Sequence, residues 1–202
     1  MPLRELQHPG LDIDLRYATS DNFTGQRIYD HGMAYLHQDA WLALLRAADW
    51  ALAQGLRLHV FDAYRPPAAQ WRLWQVMPDP RFVADPRVGS MHTRGVAVDL
   101  TLADAHGCLL DMGTAFDVMT PESFHGCTTV SPEAQRNRCL LLGLMALAGF
   151  VHHPFEWWHY QLPNASDYPL LRDGKEGVAL MDGAQTDAQP SPVAPSGTPR
   201  SA

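Results

Sequence analysis

Residues Ser90–Leu102, SMHTRGVAVDLTL, decide how the chain folds around its chemistry. Val96, Val98 and Leu100 alternate with Ala97, Asp99 and Thr101, which is the period of a strand, so Asp99 points to the face opposite the valines. A carboxylate set among Val and Leu in a central strand loses its hydration unless a cation pairs with it. His92 precedes it on a loop, and Gly95 supplies the backbone freedom to turn that loop into the strand while both side chains reach one point. A metal ion is one such cation; a buried Asp beside Arg94 is the other reading of the same residues.

Working outward, Leu56–Tyr64 also alternates and reads as a strand ending at Arg65, where Pro66 and Pro67 impose a turn. Gln38–Gln54 places Trp41, Leu44, Leu45, Ala48 and Leu52 at helical spacing before the stop at Gly55. Pro67–Met77 reads as a short helix with Trp71 and Trp74 toward the core, followed by a proline-rich loop over 78–90. Ser131-Pro132-Glu133 opens another helix, with Leu140, Leu141, Leu144 and Leu147 on its core face until Gly149. Phe150–Leu162, broken by Pro154, suits two strands or one bent strand. From Gly183 the chain is small, polar and proline-rich, the composition of a disordered tail.

A chain of 202 residues suits one core, and 46% hydrophobic against 18% charged residues is a globular balance. The net charge of -7 argues against a nucleic-acid partner, which would call for clustered Lys and Arg. No apolar run approaches the roughly 20 residues of a membrane span, and the first residues lack a signal peptide's apolar region. The expectation is a cytoplasmic chain with no membrane partner, and a homo-oligomer is left open. Cys108, Cys127 and Cys139 have neither disulfide-framework nor thiolate-site spacing and read as buried or half-exposed thiols.

Glu156-Trp157-Trp158-His159 is the second segment with chemistry in it. Residues three apart in an ideal strand face opposite sides, so Glu156 and His159 converge only at a bend or bulge, for which Pro154 gives a reason. Taken alone, the segment reads better as core tryptophans with a buried histidine and a surface carboxylate. Combined with His92 and Asp99 it completes two imidazoles and a carboxylate, a ligand set known for catalytic zinc, with Glu156 free to accept a proton from bound water. Among the other histidines, His125, His152 and His153 rank as supporting or structural. Arg65, fixed by its strand and turn, is suited to an oxyanion or a substrate carboxylate; a solvated Arg or a pair with Asp62 fits equally well.

Ser90, His92, Gly95 and Asp99, followed by Glu156 and His159, resemble the M15 zinc peptidases, which cleave peptidoglycan peptides. Tyr17–Gly25 (YATSDNFTG), Asp62–Pro67 (DAYRPP), Met112–Asp117 (MGTAFD) and Glu156–His159 (EWWH) narrow the resemblance to the D-alanyl-D-alanine dipeptidases related to VanX, over about residues 10 to 172. The resemblance implies one zinc ion held by His92, Asp99 and His159, Glu156 as base and Arg65 at the transition state. Ser90, Tyr17 and Asp21 fall in its substrate pocket, and the substrate is a small peptide. It further implies an α+β fold, a small central antiparallel sheet flanked by helices with the zinc site at the sheet. The expected organisation is a catalytic domain over residues 1–173 and a C-terminal extension over 174–202, mostly a disordered tail. A zinc D,D-carboxypeptidase or L,D-endopeptidase acting on longer wall peptides is the alternative within the same chemistry.

Overall fold

The computed structural model describes residues 3–175 and 178–182. Its centre is β5 (Ala97–Asp104), the strand expected around Asp99, which is buried along nearly its whole length. β4 (Leu56–Asp62) lies on one side of it and β7 (Glu156–Gln161) on the other, both antiparallel. β2 (Leu11–Ile13) pairs parallel with the outer side of β4, and β6 (Val151–His153) closes the far edge, giving the order β2-β4-β5-β7-β6. The sheet is thus antiparallel except for its β2–β4 edge. β1 (Leu3–Glu5) and β3 (Tyr35–His37) form a separate two-stranded ribbon.

Helix α1 (Gln38–Leu52) packs on β3 and β4 and against α3 (Pro132–Leu147); α2 (Pro67–Val76) follows directly on the Arg65 turn. The helix starts agree with the sequence: Ser131 Oγ caps Ala134 N–H at 3.0 Å, and Pro67 and Pro132 sit in first turns, where a missing N–H costs nothing. The buried faces agree in part: Leu44 and Ala48 are buried and Trp41, Leu45 and Trp74 pack against the core. α1 buries Ala40, Ala43, Leu44, Ala47, Ala48 and Ala51, leaving Leu52 exposed, because close approach to the sheet selects small side chains over large ones. α2 buries Ala69, Gln70 and Leu73 while Trp71 and Trp74 are only half-buried, and Leu147 of α3 is exposed.

Gly95 has φ +70, and a Cβ there would lie 3.1 Å from the backbone nitrogen of His37, so both conformation and space select glycine at the turn into β5. Val178 packs with Leu3, Tyr64 and Leu171, and Leu180 O accepts the N–H groups of Asp30 and His31. Leu180 and Met181, beyond the break expected after 173, are buried against the rest of the described residues. The tail expected from Gly183 lies outside the described residues. Cys108 and Cys139 are exposed, Cys127 is half-buried, and all three are free thiols. Among the described residues no helix is long and apolar enough to cross a membrane.

Candidate metal centre

Strand register brings the donors together. Asp99 on β5 pairs directly with His159 on β7, and an irregularity between Val60 and Asp62 sets Asp62 opposite Asp99 on the other side. His92 arrives on the short 3-10 turn His92–Arg94 that ends at Gly95. His92, Asp99 and His159 are all buried, with one ligand atom of each within 4.8 Å of the others. His92 Nε2 is 3.2 Å from His159 Nδ1 and 3.3 Å from Asp99 Oδ2, and His159 Nδ1 is 3.0 Å from Asp99 Oδ1.

The outer nitrogens explain which inner ones face the centre. His92 Nδ1 lies 2.7 Å from the Ala63 carbonyl oxygen and His159 Nε2 lies 3.2 Å from Gln161 Oε1. With protons on those outer nitrogens, two imidazole lone pairs and a carboxylate point at one spot, an arrangement that repels itself unless a cation sits there. Burial works against the Asp99 charge, yet with protons in place of an ion on the inner nitrogens, charge and hydrogen bonds from His92 and His159 outweigh it and hold the carboxyl far below the usual range. The donor chemistry therefore fits a metal ion. Gln161 was not singled out from the sequence, because an amide at a strand end carries no distinctive spacing.

The expected convergence of Glu156 with His159 occurs beside a register shift between His152 and His153, with Glu156 Oε2 3.9 Å from His159 Nδ1. Burial, then Asp99 and Asp117, push the Glu156 carboxyl well above its ordinary range, so it is a proton-binding group poised beside the donors. His153 lies 3.9 Å from the same oxygen and lines the cavity, while His125 rests against the His152 ring away from it.

Arg65 is buried and does pair with Asp62, by Nε at 2.8 Å and Nη2 at 2.7 Å, while Nη1 donates to Gln70 Oε1 at 3.0 Å. Burial opposes the guanidinium charge, but Asp62 and other acidic neighbours keep its pKa well above the ordinary value. Its side chain still lines the cavity, so the pairing with Asp62 orients the group and leaves N–H donors for a ligand. The two readings open for Arg65 in the sequence are thus compatible.

The cavity over the donors has a volume of about 260 Å³ and is lined by Tyr17, Arg65, Ser90 and Asp117 as well as the metal set and Glu156. Ser90 is buried, and its Oγ accepts the His92 N–H at 3.2 Å. Tyr17 donates its hydroxyl to Asp117 Oδ1 at 3.1 Å, and the Arg65 guanidinium lies 5.1 Å from the Tyr17 ring centre. Asp21 is not brought here. It is exposed, paired with Arg16, and lines a neighbouring cavity, since the loop after the 3-10 turn Arg16–Ala18 carries it away from Tyr17.

Asp117 takes a place in this cavity that spacing gave no reason to assign. It is half-buried and lies in the left-handed region at φ +63, and its Oδ2 atom, itself buried, has no hydrogen-bond partner among the described residues. Burial first, and the Asp99 charge second, raise its pKa to about 8.

The family model described as D-ala-D-ala dipeptidase, of the M15 peptidases, matches residues 1–173. The chain belongs to this family. The M15 chain is 51% identical over 165 residues to the D-alanyl-D-alanine dipeptidase of Escherichia coli K12, covering 82% of this chain and 86% of that one. It is 33% identical over 195 residues to the D-alanyl-D-alanine dipeptidase of Enterococcus faecium, covering 83% and 96%. A solved structure of the zinc-bound D,D-pentapeptidase VanY from a VanB-type resistance cassette overlaps with TM-score 0.42 at 18% identity, covering 67% of this chain and 76% of its own, a likeness too slight to bear on activity.

Proposed function

We propose that this M15 peptidase is a zinc-dependent dipeptidase that hydrolyses D-alanyl-D-alanine to two D-alanines. The observation that carries the reading is the meeting of His92 Nε2, Asp99 and His159 Nδ1 beside a buried Glu156 that is not needed as a ligand. Two imidazoles, one carboxylate and an open position are the donor set of catalytic zinc, which when bound acidifies water and polarises a carbonyl. His92, Asp99 and His159 would each give one donor atom, held in orientation by Ala63 O and Gln161.

Glu156 accepts the proton from the attacking water and passes it to the leaving amine. Arg65, fixed by Asp62 and Gln70, places its remaining N–H donors toward the oxygen that gains charge. A free dipeptide carries an ammonium and a carboxylate. The unpartnered Oδ2 of Asp117 suits the ammonium, with Tyr17 steadying the other oxygen, and the buried Ser90 hydroxyl supports the far end. The names of the relatives and the 260 Å³ cavity both support a short substrate.

The test is hydrolysis of D-Ala-D-Ala by the purified protein, with and without chelator and with zinc restored, beside Glu156→Ala. Activity that needs zinc, and a Glu156→Ala protein that keeps zinc but does not turn over, are the expected results. Preference for a stem pentapeptide would replace this substrate by a longer wall peptide. Surviving hydrolysis in Glu156→Ala would remove Glu156 as the base.

A further inference from the structure

The sheet face that bears the metal donors does not end with them. Thr101 follows Asp99 on the same face of β5 and lines a second cavity of about 600 Å³, together with Phe23, Phe61, Trp157 and the segment 109–118. Among the described residues Asp117 is the one that lines both cavities. Thr101 is 2% exposed, and its Oγ1 has no hydrogen-bond partner among the described residues, so the second cavity contains a polar group still in want of one.

Phe116 stands where the two cavities meet. Its ring stacks on Phe61 at 4.8 Å and 27°, on the side of the second cavity. It sets edge contacts against Trp158 at 5.5 Å and Tyr17 at 6.1 Å, which line the first. The partition is braced from behind. The buried Arg138 of α3 donates to the carbonyls of Met112, Glu122 and Phe124 at 2.7, 2.8 and 3.0 Å, and Trp157 Nε1 donates to Thr114 Oγ1 at 2.8 Å. At the end of this wall Asp117 is held with φ +63, a conformation that disfavours most non-glycine residues and persists only where surroundings enforce it.

We propose that Phe116 is a specificity-determining wall which confines the substrate to a peptide with a free N-terminus, and that the second cavity is the blocked continuation of the same substrate trough. The inference rests on the proposed function, in which Asp117 receives the substrate ammonium. A residue added before that ammonium would have to pass Asp117 and enter the space that the Phe116 ring closes. Phe116 acts by excluding and positioning; it touches no reacting atom.

The experiment compares kcat/KM for D-Ala-D-Ala and for the tripeptide L-Ala-D-Ala-D-Ala in the zinc-loaded native protein, Phe116→Ala and Phe116→Leu, with melting and zinc content measured for each. The expected result is near-absence of tripeptide cleavage in the native protein. The tripeptide-to-dipeptide ratio should rise at least about tenfold in Phe116→Ala and by less in Phe116→Leu. Phe116→Leu keeps an apolar side chain in the seat and carries the test if the alanine protein does not fold. A folded, zinc-loaded variant whose ratio stays at the native value overturns the wall, as does a native protein that already cleaves the tripeptide well. A native protein inactive on D-Ala-D-Ala fails the proposed function instead, whatever the variants do.

Discussion

Asp62 holds Arg65 in a two-point ion pair, Nε at 2.8 Å and Nη2 at 2.7 Å from one carboxylate oxygen, with the other oxygen taking the Tyr29 hydroxyl at 2.8 Å. Asp62 is wholly buried, so its charge has no solvent to fall back on and Arg65 has no substitute at that distance; Asp99 lies at 3.5 Å. Removing one member of such a pair costs about 3 kcal/mol or more. For a chain of this size, about 2–4 °C is lost per kcal/mol. Asp62→Asn should therefore melt at least about 6 °C below the native protein, measured by thermal unfolding of zinc-loaded samples. A shift within about 1 °C would show that Asp99 suffices to hold the guanidinium.

Arg65→Ala separates orientation from metal binding. Turnover of D-Ala-D-Ala should fall by about 10²–10³-fold, the scale for losing a donor to a developing oxyanion. Zinc content should stay at the native level, because Arg65 supplies no ligand atom. Unchanged turnover in this variant would remove Arg65 from the chemistry.

Gln161 is predicted to act on the metal through His159. Its Oε1 lies 3.2 Å from Nε2, and loss of such an outer partner weakens metal affinity by about 10–100-fold. Gln161→Leu should thus release zinc to a competing chelator at correspondingly lower concentration. Affinity equal to that of the native protein would show that strand pairing alone orients the ring.

Asp117 gives a pH signature in the metal-free protein. Its pKa is raised by burial and by Asp99 to about 8, above the roughly 4 expected of an unfolded chain. A group raised on folding adds stability in full below the unfolded value and loses it as pH climbs to the folded one. Asparagine carries no such proton, so Asp117→Asn should gain stability relative to the native chain from about pH 5 to about pH 8 and level off above that. Denaturant unfolding of chelated protein across this range reads the difference, and a constant gap would contradict the assignment.

The residues that announce themselves in the sequence do so by conflict with their surroundings. Asp99 could be placed because a charge in an alternating apolar strand demands a reason, and β5 and its facing direction followed from that alternation. Glu156 and His159 required a distortion, and Pro154 signalled one. Asp117 was hidden because its partner Tyr17 lies far away along the chain, and Gln161 because an amide two residues from His159 carries no distinctive spacing, whereas the Asp62–Arg65 pair, three residues apart, was legible as one of two readings. Strands of three residues, as in β1, β2 and β3, are too short for a period to show. The alanines of α1, Ala40, Ala43, Ala47 and Ala51, escaped notice because large apolar residues dominate a hydrophobicity pattern, whereas alanines permit the closest approach.

The direct pairing of Asp99 with His159 means that an ion in the centre would act as a rivet through two adjacent strands. Those strands are joined by only three residue pairs, Ala97–Gln161 through Asp99–His159. Loading the site should therefore slow amide hydrogen exchange most along this seam, since opening it would first require the rivet to leave. The middle of the sheet would then report metal occupancy without any substrate present.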